Sequence, residues 1–130
     1  MQNQCPFCAY SAGRFTRDLI VYEDDDVLVV PCKGQKHGNR GHCIVTPRAH
    51  VPDIYELPPA LAGATLNAVA AAARASKAAF SADGVSIRQN NGVASGQDVF
   101  HLHFHVVPRF LGDPFDTAPY QTLGERIRIV

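Results

Sequence analysis

Residues 99–108 read Val99-Phe100-His101-Leu102-His103-Phe104-His105-Val106-Val107-Pro108. Three histidines alternate there with apolar residues, and alternate side chains of a strand share one face. The stretch therefore predicts a strand over residues 99–107, ended by Pro108, with its apolar face packed on a core. The opposite face would carry three of the six histidines of the chain.

Other apolar runs, each bounded by turn residues, predict the remaining strands. They lie at residues 19–23, 27–30, 43–46 and 84–90, and the run at residues 126–130 predicts a further short strand. Most of these runs follow one another in hairpin order, which favours antiparallel pairing.

The alanine-rich segment at residues 60–80 predicts one long helix. Pro58-Pro59 precedes it, and proline suits the first turn of a helix. Four residues at helical spacing are expected on one apolar face of this helix. They are Leu66, Val69, Ala73 and Phe80. Hairpin strands with one long helix favour an α+β fold with an antiparallel sheet of about five strands.

The composition is that of a single globular domain. The 130 residues predict one domain, with a core over about residues 5–109 and a tail over residues 110–130. Twelve basic residues balance twelve acidic ones without a basic block, so neither nucleic acid nor a membrane is expected as a partner. The N-terminus lacks the features of a signal peptide, which favours the cytoplasm. There the four cysteines are expected as metal ligands or buried thiols.

The alternating histidines allow a structural, a metal-binding and a catalytic interpretation. An incidental polar face is disfavoured, because exposed strands usually carry Thr, Lys and Glu. Neighbouring histidines could share an ion, but His101 and His105 lie about 13 Å apart at about 3.3 Å per residue. A neutral imidazole is a good nucleophile toward phosphorus near pH 7. In the catalytic interpretation the central His103 would be flanked by groups that can bind phosphate oxygens or donate a proton.

A glycine-containing loop, Asn91-Gly92-Val93-Ala94-Ser95-Gly96-Gln97, precedes the histidine stretch. Such a loop can turn backbone N–H groups toward an anion. Beside three histidines it is a candidate phosphate-binding loop.

The pair Cys5-Pro6-Phe7-Cys8 has three interpretations. A redox pair would follow a strand and begin a helix, but only four residues precede Cys5. Half of a zinc site would need two more ligands from elsewhere in the chain. The third possibility is two unligated thiols. Cys32 and Cys43 are expected as ordinary buried residues.

Two blocks of the chain together resemble the histidine triad (HIT) family. Residues 96–109, Gly-Gln-Asp-Val-Phe-His-Leu-His-Phe-His-Val-Val-Pro-Arg, resemble the family signature, and residues 41–50, Gly-His-Cys-Ile-Val-Thr-Pro-Arg-Ala-His, resemble a second block. The likeness runs from Cys5 to about Arg109. It implies an α+β fold with a short N-terminal helix, commonly a homodimer. It also implies nucleotidyl hydrolase or transferase chemistry, usually on an adenosine phosphoramidate or a dinucleoside polyphosphate.

The resemblance also implies roles for individual residues. His103 would attack the α-phosphate of a purine nucleotide (AMP or GMP type) and form a nucleotidyl-histidine intermediate. His105 would contact phosphate, and His42 and His101 would complete a polar relay. Further substrate contacts would come from Asn91, Gly96, Gln97 and Asp98. A backbone carbonyl should hold His103 in one tautomer, which leaves its other nitrogen free to attack.

Bacterial HIT proteins with an N-terminal cysteine pair imply the missing zinc ligands. The site would consist of Cys5, Cys8, His50 and His101. Such a site is closed, so the zinc would be structural and would pin the N-terminus to the catalytic strand. No catalytic metal and no organic cofactor is expected.

Two positions depart from the family pattern. Asp98 stands where many members have Ser or Thr, and an ionised carboxylate can only accept a hydrogen bond from a leaving group. Residues 30–37 contain no acidic residue, although members often have an Asp there for the ribose hydroxyls.

Three functions therefore follow from the sequence. The leading one is a metal-independent nucleotidyl hydrolase or transferase that works through His103. The alternative is a nucleotide-binding sensor or interaction module of the same fold with little turnover. The third is a metallohydrolase that uses the three histidines as its catalytic metal site.

Overall fold

The computed structural model of the protein describes residues 4–14, 17–35 and 38–114. Within them two α-helices and five strands follow one another along the chain. They are α1 (Pro6–Ser11), β1 (Tyr22–Glu23), β2 (Val27–Pro31), β3 (Cys43–Pro47), α2 (Pro59–Phe80), β4 (Gly84–Arg88) and β5 (Phe104–Arg109). Single turns of 3-10 helix lie at Arg17–Leu19, Ile54–Glu56 and Val93–Ser95.

The five strands form one antiparallel sheet in the order β1-β2-β3-β5-β4. This confirms the predicted α+β fold with about five strands, one long helix and a short N-terminal helix. The central pairing of β3 with β5 brings residues near 44 next to residues near 105, with Ile44 opposite His105. The predicted strand at residues 126–130 lies outside the described residues.

Both faces of the sheet are covered, and β2 shows how. Successive side chains of a strand point to opposite faces. Val27 and Val29 pack with residues of α2, whereas Leu28 and Val30 pack with residues of α1. A strand buried on both sides reads as a continuous apolar run, as this one does.

The apolar face predicted for α2 is wrong in part. Leu66 is 62% exposed and Phe80 is 40% exposed. The buried residues of the helix are Thr65, Ala68, Val69 and Ser76. They also follow the helical period, but they are small, so the helix approaches the sheet closely and the large side chains lie outside.

The strand predicted at residues 99–107 begins only at Phe104 and extends to Arg109. The preceding segment is anchored by other bonds: the Leu102 N–H donates to the Val51 carbonyl at 2.6 Å, and the Thr46 hydroxyl donates to the Leu102 carbonyl at 2.7 Å. Pro108 lies inside β5, where β3 no longer pairs with it, so the missing N–H costs no bond to that neighbour.

The expected division into an apolar face and a histidine face is therefore wrong at the start of the stretch. His101 and its neighbour Leu102 are both fully buried. Phe100, predicted on the core side, is 47% exposed. Because the backbone is irregular from residue 100 to residue 103, the three histidine rings do not share one strand face and lie in different surroundings.

The remaining bounds differ little. The run at residues 19–23 contains a strand only at Tyr22–Glu23, and β4 ends at Arg88 rather than at residue 90. Strands β2 and β3 each include one proline more than predicted. No helix among the described residues has the length and hydropathy needed to cross a membrane.

Candidate active site and metal centre

His103 lies immediately before β5 and is 6% exposed. Its Nδ1 lies 2.7 Å from the backbone oxygen of His101. A carbonyl oxygen can only accept, so Nδ1 carries the proton and donates, and Nε2 keeps a lone pair. The predicted backbone acceptor for His103 is therefore present.

His42 and His105 are linked ring to ring across β3 and β5. The Nδ1–H of His42 donates to the Gly34 carbonyl at 3.1 Å, which leaves Nε2 of His42 as an acceptor. Nδ1 of His105 lies 2.9 Å from that nitrogen and donates to it. The Gly34 carbonyl, His42 and His105 thus form a short polar chain. The His105 ring lies 5.1 Å from the His103 ring, measured between centroids.

A cavity of about 400 Å³ lies over His103 and His105. Asp98, one of the predicted substrate contacts, lines it as well. Phe7 and Tyr10 of α1 also line it, and the sequence did not indicate them. The one sequence feature that could have indicated these two residues is the apolar character of the segment around the cysteine pair.

Three of the predicted substrate contacts do not line this cavity: Asn91, Gly96 and Gln97. The Asn91 amide exchanges hydrogen bonds with the Gln89 side chain and accepts from the Ile54 N–H. The buried Gln97 amide donates to the Pro52 and Val99 carbonyls. Gly96 supplies a turn with φ of 97°. In this conformation the side chains of Asn91 and Gln97 hold the loop itself.

Four side chains converge beside α1 in the arrangement predicted for zinc. We name Cys5, Cys8, His50 and His101 the Cys2His2 cluster, and their ligand atoms all lie within 4.8 Å of one another. The S···N contacts between cysteine and histidine are 3.2–3.6 Å, and the two Nδ1 atoms lie 3.2 Å apart. A tetrahedral zinc site requires edges of about 3.5 Å between S and N and about 3.3 Å between two nitrogens.

The hydrogen bonding of His101 suits a cation, whereas the Cys8 thiol would lose its proton only when a cation binds. The Nε2–H of His101 donates to the Pro47 carbonyl at 2.7 Å, so Nδ1 presents its lone pair to the two sulfurs. Burial lowers the pKa of His101, against an opposing effect of the hydrogen bond to Pro47, and His50 and His103 lower it further, which favours the neutral ring. Burial raises the pKa of the Cys8 thiol to about 11, and its neighbour Cys5 acts in the same direction. A bound cation would reverse that effect by stabilising the thiolate.

The Cys2His2 cluster and His103 are physically connected. His101 supplies a ring nitrogen to the cluster and a backbone carbonyl to His103. Phe7, between the two cysteines in sequence, packs against both rings, with centroids 5.5 Å from His101 and 5.0 Å from His103. The ring of His101 faces the cysteines, and its backbone carbonyl accepts the hydrogen bond from His103.

Cys32 is the residue that sequence reasoning misjudged. Cys43 is buried, as expected, but Cys32 is only half-buried and lines the cavity. It lies beside His42 and His105, with one ligand atom of each residue within 4.8 Å of the others. The pairing of Pro31 with Cys43 places residue 32 opposite residue 42, so the register of the β2–β3 hairpin was the signal that could have located it.

Comparison with known proteins agrees with the geometry. Residues 15–112 match the HIT domain. The chain is 38% identical over 112 residues to Protein hit from Bacillus subtilis, an alignment that covers 85% of this chain and 75% of that protein. It is 34% identical over 110 residues to the adenylylsulfatase HINT3 from Arabidopsis thaliana, covering 84% of this chain and 54% of that protein.

Among solved structures, a Zn-bound histidine triad family protein from Mycobacterium smegmatis superposes with a TM-score of 0.78. It is 34% identical, and the match covers 92% of this chain and 86% of that chain. The chain belongs to the HIT family, which confirms the resemblance seen in its two sequence blocks. The Cys2His2 cluster is a possible zinc site within that fold.

Proposed function

We propose that the protein is a nucleotidyl hydrolase or transferase in which His103 attacks the α-phosphate of a purine nucleotide. The observation that carries this proposal is the 2.7 Å bond from Nδ1 of His103 to the His101 carbonyl. It commits a proton to Nδ1, so in the neutral ring Nε2 carries the lone pair, and His103 lines the cavity. An unprotonated imidazole nitrogen held in place is the requirement for attack on phosphorus.

The reaction proceeds in two displacements. Nε2 of His103 forms a bond to the α-phosphorus while the bond from phosphorus to the leaving group breaks, and the leaving group takes up a proton. Water, or another acceptor in the transferase reaction, then attacks the phosphorus and loses a proton. The P–N bond breaks, its electron pair returns to Nε2, and the free histidine is restored.

His105 and His42 stabilise the phosphate through the whole sequence. Because Nδ1 of His105 already donates to His42, protonation of Nε2 would give an imidazolium that donates to a non-bridging oxygen. A charged donor to an oxyanion is stronger than a neutral one. His42 fixes the orientation of His105 and draws its own orientation from the Gly34 carbonyl.

Asp98 favours an amine as the leaving group. It lines the same cavity as His103 and, when ionised, can only accept a hydrogen bond. An amine leaving group has N–H bonds to offer, whereas a departing polyphosphate is itself an acceptor and carries the same sign of charge. An adenosine 5′-phosphoramidate is therefore the substrate class that suits the cavity better than a dinucleoside polyphosphate.

The proposal is tested with purified protein and adenosine 5′-phosphoramidate, measuring release of AMP. We expect His103→Asn to reduce the rate on the order of a thousandfold or more, because Asn has no nucleophilic nitrogen. Its amide can still donate to the His101 carbonyl, so this variant should keep the wild-type fold and the wild-type zinc content. Mass spectrometry of the quenched wild type should find the nucleotidyl group on His103.

Label on another histidine, or on none during turnover, would overturn this mechanism. AMP release that stops on chelation while zinc stays bound at the Cys2His2 cluster would favour the metallohydrolase. Tight nucleotide binding without release of AMP would favour the sensor or interaction module. That alternative is favoured by one observation: the Asn91 and Gln97 side chains are hydrogen-bonded to the protein itself, to Gln89 and to the Pro52 carbonyl.

We also propose that the Cys2His2 cluster holds a structural zinc ion. The observed S···N and N···N distances fit tetrahedral coordination, and all four positions would be taken by protein ligands, so no position is open for substrate. The ion would supply a crosslink between α1 and the segment that carries His101. The homodimer and the cytoplasmic location stay predictions from family likeness and composition.

A further inference from the structure

A second group of metal-ligand side chains lies on the other side of His103. Cys32, His42 and His105 each place one ligand atom within 4.8 Å of the other two, and we name them the Cys32 triplet. One thiol with two imidazoles is a ligand set for zinc and similar borderline or soft cations, not for magnesium or calcium. The triplet shares no residue with the Cys2His2 cluster.

The backbone holds the three residues in place without a metal. The Cys32 N–H donates to the His42 carbonyl at 3.0 Å, which fixes these two residues opposite each other at the end of the β2–β3 hairpin. His105 lies on β5, where it pairs with Ile44. His42 is buried, and the other two are half-buried at the cavity. Ligands fixed by a rigid sheet lose little conformational entropy when they bind an ion.

The hydrogen bond from His42 to Gly34 has the form of a supporting contact for a metal ligand. A ligating histidine usually donates its other N–H to a carbonyl or carboxylate, which sets the tautomer and orients the ring. Here Nδ1–H of His42 donates to the Gly34 oxygen, so Nε2 has the lone pair. That nitrogen shares a proton with Nδ1 of His105 at 2.9 Å, and a cation would replace the shared proton.

Only small movements are needed to reach metal geometry. Around tetrahedral zinc two nitrogens lie about 3.3 Å apart and nitrogen and sulfur about 3.5 Å apart. The two rings must separate by a few tenths of an ångström, and the Cys32 sulfur must close in from within 4.8 Å by rotation about its side-chain bonds. Three protein ligands leave one position open toward the cavity.

We propose that the Cys32 triplet binds Zn²⁺ as a second metal site and that this zinc inhibits the enzyme. The inhibition rests on the proposed function, because bound zinc would take His105 and His42 away from the phosphate. The binding itself does not rest on it. The site acts by occupancy and carries out no chemistry of its own.

Zinc binding is measured first, by titrating metal-free protein and counting bound ions. We expect wild type to bind two zinc ions, tightly at the Cys2His2 cluster and more weakly at the triplet. Cys32→Ser should bind one, because a neutral hydroxyl is a poor zinc ligand of similar size. Cys43→Ala is the matched control, since this neighbouring cysteine packs on the α2 side of the sheet, and it should still bind two. Equal zinc content in wild type and Cys32→Ser overturns the site.

Cobalt(II) supplies a signature that a structural change would not mimic. Added after one equivalent of zinc, it should give wild type an intense thiolate-to-metal absorption band that Cys32→Ser lacks. Inhibition is then measured against each variant's own rate of AMP release with one equivalent of zinc, which fills the Cys2His2 cluster. The second zinc should slow wild type at least about tenfold when it saturates the triplet, because only protein with an empty triplet stays active. It should slow Cys32→Ser far less. Two bound zinc ions without inhibition would overturn the inhibitory role, and absence of AMP release from wild type with one bound zinc ion would instead reject the proposed function.

Discussion

Backbone carbonyl oxygens decide what each buried histidine of this site can do. Those of Gly34, Pro47 and His101 accept from His42, His101 and His103, respectively. Each bond commits one ring nitrogen to a proton and leaves the other with a lone pair. Residue type alone allows either nitrogen to react, so the division of work among the rings is set by these acceptors.

Gly41, the residue before His42, is required by its backbone conformation and its surroundings. Its φ is 92°, which L side chains rarely adopt, and an added Cβ would lie 2.5 Å from two ring carbons of Phe80. We expect Gly41→Ala to lower the free energy of unfolding by about 1–3 kcal/mol, as strained positive-φ substitutions do. Urea unfolding measures this directly.

The control for Gly41 is Gly63, an exposed glycine within α2 with open space around its Cα. Gly63→Ala should raise the free energy of unfolding by about 0.5–1 kcal/mol through helix propensity. If Gly41→Ala were as stable as wild type, the left-handed conformation at residue 41 would not be a requirement of the fold.

At the scale of elements, the irregular segment before β5 is as important as the strand. Residues 100–103 belong to no ladder, yet Leu102 is fully buried and His103 nearly so. Buried backbone groups outside a sheet need other partners. Thr46 of β3 supplies one of them by donating its hydroxyl to the Leu102 carbonyl at 2.7 Å.

Thr46 is therefore expected to act as a positioning residue for His103. Thr46→Val keeps the shape but removes the donor, which should cost about 1–3 kcal/mol of stability because a buried carbonyl loses its partner. It should also lower kcat for AMP release more than it changes KM, since the neighbouring His103 is displaced. Thr46→Ser restores the hydroxyl and should recover most of kcat. Loss of stability without a change in kcat would limit Thr46 to a structural role.

At the scale of the whole molecule, the Cys2His2 cluster joins parts of the chain that are far apart in sequence. Cys5 and Cys8 lie at the start of α1, His50 follows β3, and His101 precedes β5. Phe7 of α1 packs against the His103 ring, so a shift of α1 would also move that ring. One ion bound there would tie α1 to the segment that carries His101 and His103.

Zinc removal should therefore weaken the fold and the site together. With zinc at about a hundred times its Kd, linkage contributes about 2.7 kcal/mol, which corresponds to a rise in Tm of roughly 10 °C for a domain of this size. Thermal unfolding of metal-free protein with and without one equivalent of zinc measures the difference. Cys5→Ser should lose most of the rise, whereas His103→Asn should keep it. An unchanged Tm would show that the cluster does not bind zinc in the folded state.

The sequence by itself determined the strands, the long helix and the residue types of the site, because apolar periodicity and the two histidine-containing blocks are local patterns. It also paired the cysteines with two histidines, though only through family likeness. It placed Leu66 and Phe80 on the wrong side of α2. The buried face consists of small residues that pack closely against the sheet, and an alanine-rich sequence does not distinguish that face from the others. The register of distant strands lies beyond any local pattern.

Only the tertiary structure brought Cys32 to His42 and His105. These residues lie 10 and 73 positions from Cys32 along the chain, and they meet because β3 pairs with both β2 and β5. Because of the same packing, the regular strand begins only at Phe104, and the His101 ring lies against the cysteines. Local periodicity specifies which residues favour a strand, whereas long-range packing decides where the strand begins, and hydrogen-bond acceptors decide which ring nitrogen of each histidine carries the proton.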